Sequence, residues 1–175
     1  MTESKPAGPI SAGDELVDHL SDDGEVLGSV TRRVMRRANL LHRAVFIIVS
    51  DGSRMLVHQR AAWKDIWPSY WDLALGGVVG AGEDWDAAAA RELDEEAGIS
   101  TPLEALGEVR YVDDRVREIA RVYRTVSAGP FTFPDGEVAD SAWVEVAGLD
   151  GWTAGRAVCP DSAAIIPTFV RPPEG

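Results

Sequence analysis

The sequence predicts an α/β fold in which a mixed sheet packs between helices. Three observations lead there. Strand-like runs dominate, headed by His42 to Ser50, which is β-branched and nearly continuous in apolar residues. One strong helix is written between Asp84 and Ala97, and one weak helix between Pro160 and Val170. Strands and helices do not alternate as a regular βαβ series, so a mixed sheet is expected. At 175 residues with 45% apolar side chains, the chain can bury a sizeable core as one domain with extensions.

In order, residues 1–13 are polar with two prolines and predict a disordered tail. Residues 14–170 are read as a single domain. Asp14 to His19 and Glu25 to Val30 flank Ser21-Asp22-Asp23-Gly24, and Asp-Gly between such runs is a hairpin signal. Thr31 to Leu41 is basic, with Arg32, Arg33, Arg36 and Arg37. The plain reading is a solvated short helix or loop. The sharper one is that one or two of these arginines touch an anionic substrate.

His42 to Ser50 reads as a central strand buried on both faces, and Arg54 to Arg60 as its partner across the Asp51-Gly52 turn. Ala61 to Tyr70 is a long aromatic loop, and Trp71 to Leu75 a short strand entering Gly76-Gly77. In the helix that follows, Asp84 and Asp86 suit the start, Ala89, Leu93 and Ala97 form an apolar stripe, and Gly98 is the stop. Leu106 to Val112 and Ile119 to Val126 predict strands around the Asp113 to Glu118 turn. Phe131 to Asp140 reads as a loop, and Ser141 to Val146 as a further strand. Pro167 limits the last helix, and 171–175 is a Pro-rich tail expected to fray.

The net charge of -12 argues against non-specific nucleic-acid binding, which needs a basic surface. Cys159 is the only cysteine, so neither an internal disulfide nor a cysteine zinc cluster is available. The first residues lack the basic start and apolar run of a signal peptide. No apolar stretch is long enough for a membrane span. A cytoplasmic location is the default expectation, and a homodimer is compatible with the sequence.

The end of the strong helix breaks local rules. A helix C-terminus carries partial negative charge and favours cations, yet Asp94, Glu95 and Glu96 fill its last turn. Glu92 and Glu96 form a like-charge i,i+4 pair that costs a few tenths of a kcal/mol. Glu92, Glu95 and Glu96 share one face. Two such charges about 6 Å apart repel by roughly 3 kcal/mol at an effective dielectric of about 20. Only Arg91 is at hand within the helix. Violations clustered like this point to a functional site, and hard oxygen ligands in this number suit Mg²⁺ or Mn²⁺. The plain alternative is a solvated acidic helix face.

The spacing of the whole stretch goes further. Gly77, Glu83, Arg91-Glu92, Leu93, Glu95-Glu96, Gly98 and Ile99 fall as Gly-x5-Glu-x7-Arg-Glu-U-x-Glu-Glu-x-Gly-U, where U is apolar. This resembles the Nudix box. The resemblance implies an α/β/α sandwich with a mixed central sheet, here extended by an N-terminal β-hairpin. It implies Mg²⁺ (or Mn²⁺) held by Glu92, Glu95 and Glu96 with the carbonyl of Gly76, and orienting roles for Glu83 and Arg91. It implies hydrolysis of a diphosphate linkage in a nucleoside-diphosphate-type or related small-molecule substrate by water attack at phosphorus. The general base varies in the family, and both Glu92 and Glu137 are candidates here. Arg60, Lys64 and Trp67 are candidate substrate contacts.

Upstream, Thr31-Arg32-Arg33, Leu41-His42-Arg43-Ala44, Gln59-Arg60, Lys64 and Trp71-Asp72 look like the branch containing type I isopentenyl-diphosphate isomerase. That enzyme needs a Cys-Gly-His run where this chain has Gly76-Gly77-Val78. A hydrolase is therefore expected, with an isomerase-like enzyme or a non-catalytic ligand-binding module as alternatives. His42 is expected to pack at the sheet edge, and His58 to be structural or solvent-facing. Arg121 and Arg124 alternate along their strand, so at most one is expected in the cleft.

Overall fold

The computed structural model describes residues 12–170. The expected tails at 1–11 and 171–175 lie outside the described residues, while Ala12–Asp14 form one 3-10 turn. A two-stranded antiparallel sheet follows, β1 (Leu16–Leu20) with β2 (Val26–Thr31), turning at the Asp-Gly predicted for it. The basic stretch forms α1 (Arg32–Arg37), opened by the Thr31 hydroxyl, which accepts from the Val34 N–H at 3.4 Å.

The main sheet is mixed. Its central strand β3 (His42–Ser50) runs parallel to β8 (Arg117–Val126) in register from His42↔Glu118 to Ser50↔Val126. β7 (Glu104–Val112) lies antiparallel outside β8. β4 (Arg54–Arg60) registers with β3 only at Met55↔Ser50, beside the Asp51-Gly52 turn. Beyond it, β4 takes β5 (Trp71–Asp72) and β9 (Val138–Glu145) as antiparallel partners, and β3 takes β6 (Leu75–Val78). The sheet therefore divides between β3 and β4, and the cleft described below opens between them at the end away from that turn.

The strand predicted over Trp71 to Leu75 is two strands, and the glycines lie inside the second. Gly76 pairs with Phe46, and its φ of +143° is open to glycine, whereas a Cβ there would meet the Val45 carbonyl oxygen at 1.9 Å.

β3 is buried on both faces, as its composition predicts. Val45, Ile47 and Val49 meet Ala88, Ala89, Leu93 and Ala97 of α2 (Trp85–Ala97). Ala44, Phe46 and Ile48 meet a second cluster closed by Leu149, Ile165 and Ile166. Those residues come from α3 (Leu149–Thr153), α4 (Pro160–Ile165) and the turn into α5 (Pro167–Val170). The result is helix, sheet, helix. α3 has no strong sequence signature. The single C-terminal helix expected over Pro160 to Val170 is broken just before Pro167, whose ring cannot sit inside a helix. β9 and β8 each begin earlier than expected and shorten the flanking loops, because pairing with β4 and β3 recruits polar residues into the ladder. No helix among the described residues is long and apolar enough to cross a membrane.

Candidate active site

α2 starts where Asp84 accepts from the Asp86 N–H at 2.9 Å and stops where Gly98 turns left-handed at φ 68°. Between these caps the apolar stripe presses one side onto the sheet. That orientation fixes where the carboxylates go. Glu92 and Glu96 are buried and Glu95 is exposed, so the three do not share one environment.

Arg91 organises the first group. Its Nε and Nη2 each donate to Glu83 at 2.9 Å, and its Nη1 donates to Glu92 at 2.8 Å and to Glu95 at 3.1 Å. Glu83 also accepts from the Gly80 N–H at 2.8 Å. The Arg91 guanidinium beside it holds the Glu83 carboxyl below the usual range. Burial pushes Glu92 upward against the pull of Arg91. Gly77 brings the backbone against this carboxylate, and a Cβ there would lie 2.5 Å from Glu92 Oε1.

Glu96 belongs to a second group. It accepts from the Gly76 N–H at 2.8 Å. Burial, then repulsion from Glu92, raise its pKa well above the carboxylate range. One carboxylate oxygen of Glu96, one of Asp135 and one of Glu137 all lie within 4.8 Å of one another. Asp135 is not among the residues the sequence singles out, although the Asp135-Gly136-Glu137 run marks its loop. The Glu137 N–H donates to Asp135 at 2.9 Å, and the Glu137 carbonyl accepts from the Ala61 N–H at 2.8 Å. Lys64 Nζ, a candidate substrate contact, ion-pairs with Glu137.

Members of both groups line one cleft of about 140 Å³, namely Glu92 and Glu95 with Asp135 and Glu137 and the backbone at Gly76, whereas Glu83 and Glu96 lie behind its lining. Arg60, Lys64 and Trp67 line it too, as do Arg32 and Arg36 of α1. Arg60 Nε donates to the Ile66 carbonyl at 3.1 Å, and its Nη1 lies 3.5 Å from Asp72. Trp67 sits at φ 50° with Arg115 4.9 Å from its ring centroid and Tyr70 at 5.5 Å, so part of its ring is already covered.

His42 corrects an expectation. It is not at the sheet edge but inside the central parallel pair, buried beside Glu118 and lining the cleft. Its Nδ1 donates to the Leu40 carbonyl at 3.0 Å, and its Nε2 is 3.9 Å from Glu118. His58 is buried rather than solvent-facing. Arg121 and Arg124 pair with Glu108 and Glu104, and neither lines the cleft.

Comparison with known proteins places this geometry. The family model described as NUDIX domain matches residues 40–162. The chain is 36% identical over 135 residues to the Nudix hydrolase YfcD of Escherichia coli K12, covering 76% of this chain and 75% of that protein. It is 36% identical over 148 residues to the Nudix hydrolase SCO1686 of Streptomyces coelicolor, covering 82% of each. Neither name states a substrate. Among solved structures, DR0079 of Deinococcus radiodurans superposes with a TM-score of 0.79 at 22% identity, covering 90% of this chain and 100% of that one. The NUDIX domain of Shewanella oneidensis NrtR, solved with ADP ribose, gives 0.55 at 19% identity, covering 72% and 82%. These structural likenesses concern the fold.

Proposed function

This chain belongs to the Nudix hydrolase family, and from that premise we propose that it cleaves a diphosphate linkage in a small-molecule substrate by water attack at phosphorus. The observation that carries the reading is the convergence of buried Glu96 with Asp135 and Glu137, the last two lining the cleft that also holds Glu92 and a basic wall. The donor set is all carboxylate and backbone oxygen, which suits Mg²⁺ or Mn²⁺. Gly77 leaves room for the Glu92 carboxylate that a Cβ would displace. Glu92, Glu95 and Glu96, with the Gly76 carbonyl, would hold the ion, and Asp135 and Glu137 are the loop residues best placed to complete the set. When bound, the ion neutralises phosphoryl charge and lowers the pKa of a water.

The protein's own residues do the rest. Arg91 and Glu83 fix Glu92, so its carboxylate enters the reaction already oriented. Water forms a bond to one phosphorus, and the bond from that phosphorus to the bridging oxygen breaks. The electron pair leaves with the departing phosphate, and the water proton passes to Glu92 or Glu137. Arg60 and the remaining cationic wall balance the charge on the non-bridging oxygens. The cleft, at about 140 Å³, is smaller than the roughly 300 Å³ of a typical small-molecule site, so it suits the diphosphate while the larger substituent extends outside.

An isomerase-type reaction is disfavoured by Gly76 and Val78 at the positions where that enzyme needs Cys and His. Cys159 does not replace the thiol, because it is buried, does not line the cleft and has its pKa pushed up by burial. The test is phosphate or monophosphate release with Mg²⁺, screened over nucleotides, nucleotide sugars, dinucleotides, isoprenyl diphosphates and ADP-ribose. Glu96→Gln is expected to lower kcat/KM by at least about 10²-fold with the fold retained. Full activity in that variant would sink the metal assignment.

A further inference from the structure

We infer that Arg32 and Arg36, supplied by the N-terminal extension, form a second anion subsite that grips the phosphoryl group farther from the acidic helix. Its place in catalysis rests on the diphosphate reading above, but the anion contact itself can be tested without turnover.

α1 sorts its four arginines by side. Arg32 and Arg36 are four apart, share a face and line the cleft. Arg33 and Arg37 are exposed, and Arg33 pairs with Asp14 at 2.8 Å. The inward pair is unfavourable as it stands, since like charges one turn apart repel. Arg60 adds a third cation to the same wall. Among the described residues the Arg32 guanidinium has one hydrogen-bond partner, Glu15 at 3.3 Å.

Arg36 is the more exposed to this cost. Its side chain is 16% accessible, and among the described residues its Nε makes no hydrogen bond. Asp65 lies 3.0 Å from that Nε, but off the hydrogen-bonding direction, and the Asp65 carboxylate is itself mostly in solvent. Burial, then repulsion from Arg32, bring the Arg36 pKa down to about 10. Glu118 lines the same wall without hydrogen-bonding Arg36, and one of its oxygens is also buried without a partner. Burial pushes the Glu118 pKa upward, which weakens it as a counter-charge for Arg36.

A guanidinium held inward with unspent donors calls for an oxyanion, and phosphoryl oxygens match its planar fork. Arg32 and Glu92 line the same cleft, so the basic wall faces the acidic one. Both arginines precede residues 40–162, the segment matched by the family model, so the subsite is added to the family domain by the extension.

The experiment titrates inorganic phosphate into the full chain in metal-free buffer by calorimetry. Wild type is expected to bind, Arg36→Ala to bind at least about tenfold more weakly, and Arg36→Lys to fall between them because it keeps charge but loses the fork. Exposed Arg37→Ala should match wild type within about twofold. Circular dichroism checks folding. If Arg36→Ala unfolds, Arg36→Lys and Arg32→Ala carry the comparison. Wild-type affinity in those variants, an equal loss in Arg37→Ala, or no phosphate binding by wild type would each overturn the subsite. Arg36-dependent binding in a protein that turns over no diphosphate would keep the subsite and remove the hydrolase reading.

Discussion

Two adjacent glycines should separate activity from stability. At Gly77 a Cβ would lie 2.5 Å from Glu92 Oε1 and 2.7 Å from Glu92 Cδ, and its nearest neighbours all belong to that side chain. The carboxylate is the far end of a flexible side chain and can retreat. Its retreat breaks the 2.8 Å bond to Arg91, a partly exposed pair worth about 1 kcal/mol or less. Gly77→Ala should therefore lower stability by about 1 kcal/mol at most. Displacing a positioned group by about 1 Å can cost 10²-fold in rate, so kcat/KM should fall by about that factor. At Gly76 the added Cβ meets the Val45 carbonyl oxygen at 1.9 Å, and φ is +143°. Here the obstacle is backbone in the central strand. Gly76→Ala should cost about 3 kcal/mol or more, lowering Tm by about 6–12 °C for a chain of this size. Urea denaturation and diphosphate hydrolysis, measured on both variants, give the comparison. Full activity in folded Gly77→Ala, or equal destabilisation of the two, would refute the reasoning.

Two further outcomes follow from packing and burial. Leu93 is 1% exposed between α2 and the sheet, so Leu93→Ala should cost about 2–5 kcal/mol in denaturant unfolding; a loss below about 1 kcal/mol would mean α2 is not anchored by this stripe. Burial lowers the His58 pKa from 6.5 to about 4. The unfolded chain therefore binds the proton first, and this residue's contribution is present above pH 6.5 and lost as pH falls toward 4. Between about pH 7 and about pH 5 wild type should lose about 2 kcal/mol relative to His58→Gln, a difference in which other titrating groups largely cancel; parallel pH profiles for the two proteins would count against the buried neutral imidazole.

What the sequence disclosed depended on how local each cause was. The α2 stripe, its Asp84 and Gly98 caps, and the two-sided burial of β3 follow from spacing within a few residues, and the structure shows all three. Arg91 with Glu95 was legible for the same reason, since helical i,i+4 spacing brings them together, whereas the Arg91 contact to adjacent Glu92 does not follow from helix geometry. The pairing of Lys64 with Glu137 spans 73 residues and depends on β4 and β9 meeting in one register. Nothing near either residue announces it. His42 was misplaced because a strand's sequence does not say which neighbour it will have, and the parallel partner β8 made it central.

Arg36 and Arg37 show the same limit from another direction. They are adjacent and chemically identical, yet one faces the cleft and the other solvent, because α1 docks by Met35, which is 1% exposed. The acidic end of α2 and the inward pair of α1 are then the same kind of feature with opposite sign. Each places like charges one turn apart, and each is unfavourable on its own helix. Local rules identify such residues singly, while the division of the sheet between β3 and β4 sets both arrays on one cavity. A substrate that carries negative charge and brings a cation with it would relieve both at once, which neither helix can do for the other through the hydrogen bonds it now makes.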